Sequence, residues 1–251
     1  MNLIPINIHI NGANLVFKVR ENSTGDHGVV HQIFQSLDYD ISQWVQGQKL
    51  LQYHQEQSAV RQSLIIDAGA NIGASVVYFK NMYPNAYVYA IEPDINNWQL
   101  LEINSANYVD KTNFHGAISN IDGTLRLIDP GLSDWGFRTQ ASVESQEKQI
   151  TVKSISPQTI LDDAKYAQMT PLIFKIDIEG AESQLFQGDT SWMSKFAMIV
   201  IELPTGCCHF LVPQVISSKP WCNTTLISCT KVKMHFCLIA ASCHLTFWLS
   251  V

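Results

Sequence analysis

Ile66-Asp67-Ala68-Gly69-Ala70-Asn71-Ile72-Gly73-Ala74 is the stretch on which the fold turns. Before it, Leu64-Ile65-Ile66 is a short apolar run that ends on an acid. After it, Ala74–Met82 carries a helical pattern. Gly69 and Gly73 allow a tight turn between the two and let a ligand approach the backbone. Outward from this unit the pattern recurs. Tyr87–Ile91 is a second apolar run, ending in Glu92, and Phe114–Ile118 is a third. Leu172–Ile176 ends in Asp177, and Ala197–Ile201 ends in Glu202. Helical spacing over Asn96–Ala106 and Ala181–Gln187 lies between them. Uniformly apolar strands alternating with helices predict a parallel sheet covered on both faces. The fold class is therefore α/β, a doubly wound sheet. In such sheets ligands bind beyond the carboxyl ends of the strands, which is where this chain places its acids.

The glycine turn excludes two common ligands. A dinucleotide fingerprint needs glycines at 69, 71 and 74, and the chain has Gly69, Asn71 and Ala74. The Asn71 side chain would obstruct a pyrophosphate. A phosphate-binding loop needs Gly-Lys-Ser/Thr, which is absent. Asp67 beside the turn repels phosphate and suits a cation. S-adenosylmethionine (SAM) carries a sulfonium and an ammonium and no phosphate. Glu92, at the end of the second strand, can accept both ribose hydroxyls of an adenosine. Asp94 takes the helix-capping role, which leaves Glu92 for the ligand. Topology places Gly116-Ala117-Ile118-Ser119 beside the adenine. The candidate cofactor residues are Asp67, Gly69, Asn71, Gly73, Glu92, Ala117 and Ile118.

Four segments together resemble the FkbM family of SAM-dependent methyltransferases: Asp67–Gly73, Ile91-Glu92-Pro93, Gly116–Ser119 and Lys175-Ile-Asp-Ile-Glu-Gly-Ala-Glu182. The resemblance runs from about residue 26 to Pro204, and the last segment is the most specific to the family. It implies a class I methyltransferase fold and methyl transfer, usually to a hydroxyl oxygen. The acceptor would be a small molecule, a sugar or glycan, or a natural product. The residues themselves support acid–base chemistry at Asp177 and Glu179. Both follow the fourth strand, and period-2 alternation puts them on one side with Lys175 if the strand persists. A hydroxyl acceptor must lose its proton, and a carboxylate near the sulfonium can take it. Asp177 and Glu179 are therefore the candidate catalytic residues, although Glu179 could equally serve the N-terminus of the helix opened by Gly180. His27 and His31 have helical metal-pair spacing but no third ligand, so no metal is expected. Ser133–Arg138 lies on an insertion of the kind that carries acceptor contacts, and Trp44 and Tyr53 fit either a helical lid or core packing.

Upstream of the glycine turn, Ile4–Ile10 and Leu15–Val19 alternate around Asn11-Gly12, which predicts a hairpin. Val29, Val30, Ile33, Phe34 and Leu37 predict a helix over Asp26–Asp38. A second helix is expected after Asp40, with Ile41, Trp44, Val45 and Leu51 inward. The domain plan is an N-terminal hairpin and helical extension over 1–60, a SAM-binding domain over 61–204 and an atypical tail over 205–251. The tail differs in composition: all 22 acidic residues and all 13 glycines lie up to Gly206, and all six cysteines lie after it. Its cysteines contain no C-x-x-C pair, which argues against a zinc ribbon. His235–Val251 is too short for a membrane span.

A change of reading frame after Pro204 accounts for all of these shifts. Read one nucleotide back, the codons of Thr205-Gly206-Cys207-Cys208-His209 permit Asp-Trp-Met-Leu-Pro, and family members often continue with Asp-Trp. Such a tail would be poorly ordered and would lack the strands that complete the sheet. The alternative to an active enzyme is therefore a SAM-binding but catalytically impaired remnant. A nucleotide-dependent oxidoreductase is rejected by Asn71 and Ala74. The net charge of −6 argues against nucleic-acid and anionic-membrane partners. Met1–Arg20 shows no apolar signal region, so a cytoplasmic location is expected.

Overall fold

A computed structural model describes residues 2–129, 148–179, 181–202, 226–231 and 234–239. The chain opens with the hairpin β1 (Leu3–Ile10) and β2 (Ala13–Arg20). Asn11 and Gly12 turn it, with φ of 46° and 79°, the two left-handed residues that a tight hairpin turn requires. Ile8, Ile10, Phe17 and Val19 form its buried face. Helix α1 (Thr24–Val30) is capped by Ser23, whose side chain accepts from the Asp26 amide. It runs into a π-helical turn over His31–Gln35, and Leu37 then takes a φ of 56°. The helix expected over Asp26–Asp38 is thus shorter and ends in a wider turn, a local rearrangement that residue spacing does not signal. Helix α2 (Val45–Ser58) buries Gly47, Leu50 and His54. Val45, expected inward, is 61% exposed, because the helix begins there and only its following turns reach the core. Trp44 and Tyr53 are half-buried against that core.

The central sheet has the order β11 (Leu226–Lys231), β12 (Met234–Ile239), then β10-β9-β3-β4-β5. Strands β3 (Ser63–Ala68), β4 (Tyr87–Glu92), β5 (Lys111–His115), β9 (Thr170–Ile176) and β10 (Met198–Glu202) run parallel. Chain order steps outward from β3 in both directions, so the switch point lies between β3 and β9. The hairpin, α1, α2, α3 (Ala74–Met82) and α4 (Ile95–Asn104) pack on one face. Helices α5 (Pro157–Asp162) and α6 (Glu182–Leu185) and the turn Ser191–Lys195 pack on the other. Both faces are covered, and β3 and β4 are buried throughout.

The expected third strand is split at Gly116. Its second part, β6 (Ala117–Ile118), joins a smaller sheet with β8 (Lys148–Ile155) and β7 (Gly123–Asp129). A side chain at 116 would meet the Phe114 ring at 2.4 Å and Lys153 O at 2.6 Å.

The tail contributes β11 (Leu226–Lys231) and β12 (Met234–Ile239), and β12 pairs antiparallel with β10. This corrects the expectation that the closing strands would be missing. An uncovered β10 offers a row of unpaired backbone groups, and these two segments are rich enough in β-formers to take them. Ser133–Arg138 and Gly180 lie outside the described residues. No helix among the described residues is long and apolar enough to cross a membrane.

Candidate active site

The turn after β3 is built by backbone contacts from two neighbouring strands. The amides of Gly69 and Ala70 both donate to Ile91 O on β4, at 3.0 Å each, and the Asp177 amide donates to Ala68 O at 3.1 Å. Gly69 has a φ of 79°, and a Cβ there would fall 1.7 Å from Asp177 O. Gly73, with a φ of 90°, starts α3 and lets it pack on Leu101 of α4, whose Cδ1 lies 3.0 Å from where a Cβ would be. Asn71 occupies the left-handed region with a φ of 49°, which asparagine tolerates better than most residues.

Glu92 ties this turn to α4. Its Oε2 accepts from the Asn71 amide at 2.8 Å and its Oε1 from the Asp94 amide at 2.9 Å. Asp94 caps α4 as expected, accepting from the Asn96 and Asn97 amides. Glu92 is therefore not idle before a ligand arrives, though each oxygen keeps a lone pair. Burial pushes its carboxyl up to about 7, against the pull of the two amides.

These elements surround a partly open cavity at the carboxyl ends of the strands. Gly69 and Asn71 line it from the turn; Glu92, Pro93 and Asn97 from the β4–α4 corner; Ala117 and Ile118 from β6. Leu125 and Leu127 of β7 close one side, and Asp177, Ile178, Glu179 and Ala181 the other. Seven of the nine candidate residues thus meet at one cavity. Asp67 and Gly73 do not line it.

Asp67 is fully buried beneath the turn. Its Oδ2 accepts from Ser75 Oγ at 2.5 Å, and its Oδ1 lies 3.1 Å from Lys175 Nζ. The charge expected to face a ligand is matched inside the protein. Lys175 Nζ also donates to Gly69 O at 2.7 Å and lies 3.5 Å from Asp177 Oδ2. Burial works to lower the Lys175 pKa, but Asp67, Tyr39 and Asp177 together hold it well above the usual lysine value.

Asp177 is 27% exposed at its side chain and reaches the cavity. Lys175 and Asp177 share a side, as alternation predicted. Strand β9 ends at Ile176, so Glu179 reaches the cavity through a turn in which its φ is 52°.

Two residues with no assigned role join this cluster. The β9–β10 register pairs Ile176 with Ile201, which puts Glu202 next to Asp177. Burial, followed by the Asp177 charge, pushes the Glu202 carboxyl up to about 8. Tyr39, from the N-terminal extension, is buried near Lys175, Asp177, Glu202 and Asp67, and burial raises its hydroxyl well above the usual range. Glu202 stood in plain view as the acid ending the fifth strand; nothing local singled out Tyr39. His27 and His31 are exposed.

No match is found among curated proteins. Solved structures give likenesses of low identity. A METTL16 methyltransferase domain is 9% identical with a TM-score of 0.40, over 76% of this chain and 65% of that one. The N-terminal domain of human METTL16 in complex with SAH is 12% identical with a TM-score of 0.41, over 82% and 69%. Precorrin-6y C5,15-methyltransferase from Geobacter metallireducens GS-15 is 10% identical with a TM-score of 0.35, over 77% and 87%. The chain thus spans just under two thirds of the first of these domains. A family model, the methyltransferase FkbM domain, matches residues 67–206, from the acid at the tip of β3 to just past the end of β10. That segment is more than half of the chain and contains the glycine turn, Glu92 and the Lys175–Glu182 run. The chain belongs to the FkbM family of methyltransferases, with the class I fold and with SAM as its cofactor.

Proposed function

We propose that the cavity holds SAM and that the chain transfers its methyl group to a hydroxyl oxygen of a small molecule, sugar or natural product. The observation that carries this reading is the charge of the cavity wall. Among the described residues it presents three carboxyl groups, Glu92, Asp177 and Glu179, and no basic side chain. Such a wall repels phosphate and suits a cationic nucleoside.

SAM supplies an electrophilic methyl whose transfer forms an O–C bond, breaks the C–S bond and leaves a neutral thioether. The residues of this chain do the rest. Glu92 accepts the ribose hydroxyls, and Ala117 and Ile118 flank the adenine. Asp67 and Gly73 hold the turn in shape from behind. Asp177 takes the acceptor's hydroxyl proton, with Lys175 beside it and Glu202 next to it on β10. Alignment of acceptor and methyl supplies much of the rate.

Calorimetry with SAM, and with NAD as control, tests the cofactor half; binding of NAD and not SAM overturns it. Cell extract incubated with the protein and isotopically labelled SAM, read by mass spectrometry, tests the acceptor half. A labelled small molecule or sugar is expected, and label on protein or RNA overturns the acceptor class. The abnormal tail favours one second reading, a chain that binds SAM and transfers nothing.

A further inference from the structure

The N-terminal hairpin lies outside the segment that matches the family, yet it reaches the cavity wall. Arg20 ends β2, and its side chain and amide converge on Asp26 of α1. The amide donates to Asp26 Oδ2 at 2.8 Å, and Nε donates to the same oxygen at 2.9 Å. Nη2 pairs with Asp26 Oδ1 and also donates to Asn97 Oδ1, at 2.9 Å. Asp26 is 2% exposed and Asn97 7%. The Arg20 side chain is 16% exposed, so the pair is held away from bulk water.

A guanidinium has donors only. The oxygen of the Asn97 amide must therefore face Arg20, and the amide cannot turn over without setting donor against donor. With Oδ1 committed, Nδ2 and its two N–H groups are what the side chain has left. Nδ2 meets no protein acceptor among the described residues, and Asn97 lines the cavity beside Glu92 and Pro93.

We infer that Asn97 is a cofactor contact, its amide donating to a ring nitrogen or ribose oxygen of the bound nucleoside, and that Arg20 and Asp26 fix its orientation. The inference rests on reading the cavity as the SAM pocket. It makes the hairpin and α1 part of the cofactor site rather than an appendage to it. Arg20 and Asp26 act through Asn97 and are positioning residues.

The test separates the donor from the tie. In Asn97→Asp the carboxylate still accepts from Arg20 and the backbone cap by Asp94 remains, but the donor is gone. Thermal stability is expected to stay near wild type, while the SAH dissociation constant rises about tenfold, the scale of one buried hydrogen bond. 5′-Methylthioadenosine, which keeps the nucleoside and lacks the amino-acid end, is expected to lose affinity by the same factor. Arg20→Lys keeps Asp26 paired but removes the fork that reaches Asn97, and is expected to weaken SAH binding about threefold. SAH affinity within twofold of wild type in both variants overturns the inference. So does a loss confined to SAH, which would place the effect at the amino-acid end. If the wild-type chain itself binds no SAH, the reading of the cavity fails first, and this inference with it.

Discussion

At the scale of single residues, Glu92 sets a pH dependence whose sign follows from its burial. Its carboxyl is raised to about 7, so it is largely protonated at pH 6 and ionised at pH 8. Ribose hydroxyls donate to the ionised form. SAM affinity is therefore expected to rise across that interval, with proton release on binding, measured by calorimetry in buffers of different ionisation enthalpy. Glu92→Gln should flatten the dependence and weaken binding by about 1–3 kcal/mol. A flat wild-type profile removes Glu92 from the site. Stability runs the other way. A carboxyl raised above its unfolded value favours the folded state most at low pH, and that contribution fades as pH rises through the folded value. For Glu92 the loss is complete somewhat above pH 7, and for Glu202, raised to about 8, somewhat above pH 8. The ligand-free chain should melt lower at pH 8.5 than at pH 6, and a Glu92→Gln, Glu202→Gln double variant should narrow the gap. Lys175 and Tyr39 are held above their ordinary values and titrate outside this window. Asp177→Asn keeps the shape and removes the base. Turnover of an identified acceptor is expected to fall by about two orders of magnitude, and turnover within threefold of wild type sinks the role.

At the scale of elements, the strongest constraint is the contact between the β3 turn and the end of β9. A methyl group at position 69 would sit 1.7 Å from Asp177 O, on a backbone whose φ of 79° already disfavours one. Gly69→Ala should cost about 3 kcal/mol or more through strain and overpacking, seen as a lowered melting temperature together with loss of SAH binding. A normal melt would mean that the turn and β9 are not locked together. What could be read ahead of the structure, and what could not, divides along the same line. The strands were legible because β3, β4 and β10 are apolar runs that end at or beside an acid, and β9 is one broken only by Lys175 and followed by Asp177. The site residues on their tips were legible because a doubly wound sheet collects ligands there. The π-helical turn before Leu37 and the split of the third strand at Gly116 depend on packing that no local pattern encodes. Tyr39 near Lys175 and Arg20 against Asn97 join residues far apart in the chain. The burial of Asp67 follows from Lys175, more than a hundred residues later.

At the scale of the whole molecule, two observations coincide near residue 206. The family match stops there, and the composition changes there, with no Asp, Glu or Gly beyond it. We propose a shift of reading frame after Pro204. The encoding DNA tests it: the alternate frame after codon 204 is expected to open with Asp-Trp and to run on, and an early stop codon with no Asp-Trp disproves the shift. A chain rebuilt in that frame is expected to melt higher than the present one, because β10 would then be covered by strands selected for it. The Lys175–Gly69 contact also has a meaning in time. The ammonium that holds the Gly69 carbonyl lies 106 residues downstream. Closing so long a span is slow compared with forming the hairpin or α3. During synthesis the glycine turn emerges from the ribosome early and waits, without its clamp, until β9 has followed it out. The nascent chain is thus blind to its cofactor for most of its synthesis, and SAM can act as a ligand that rescues folding only after the fourth parallel strand has been made.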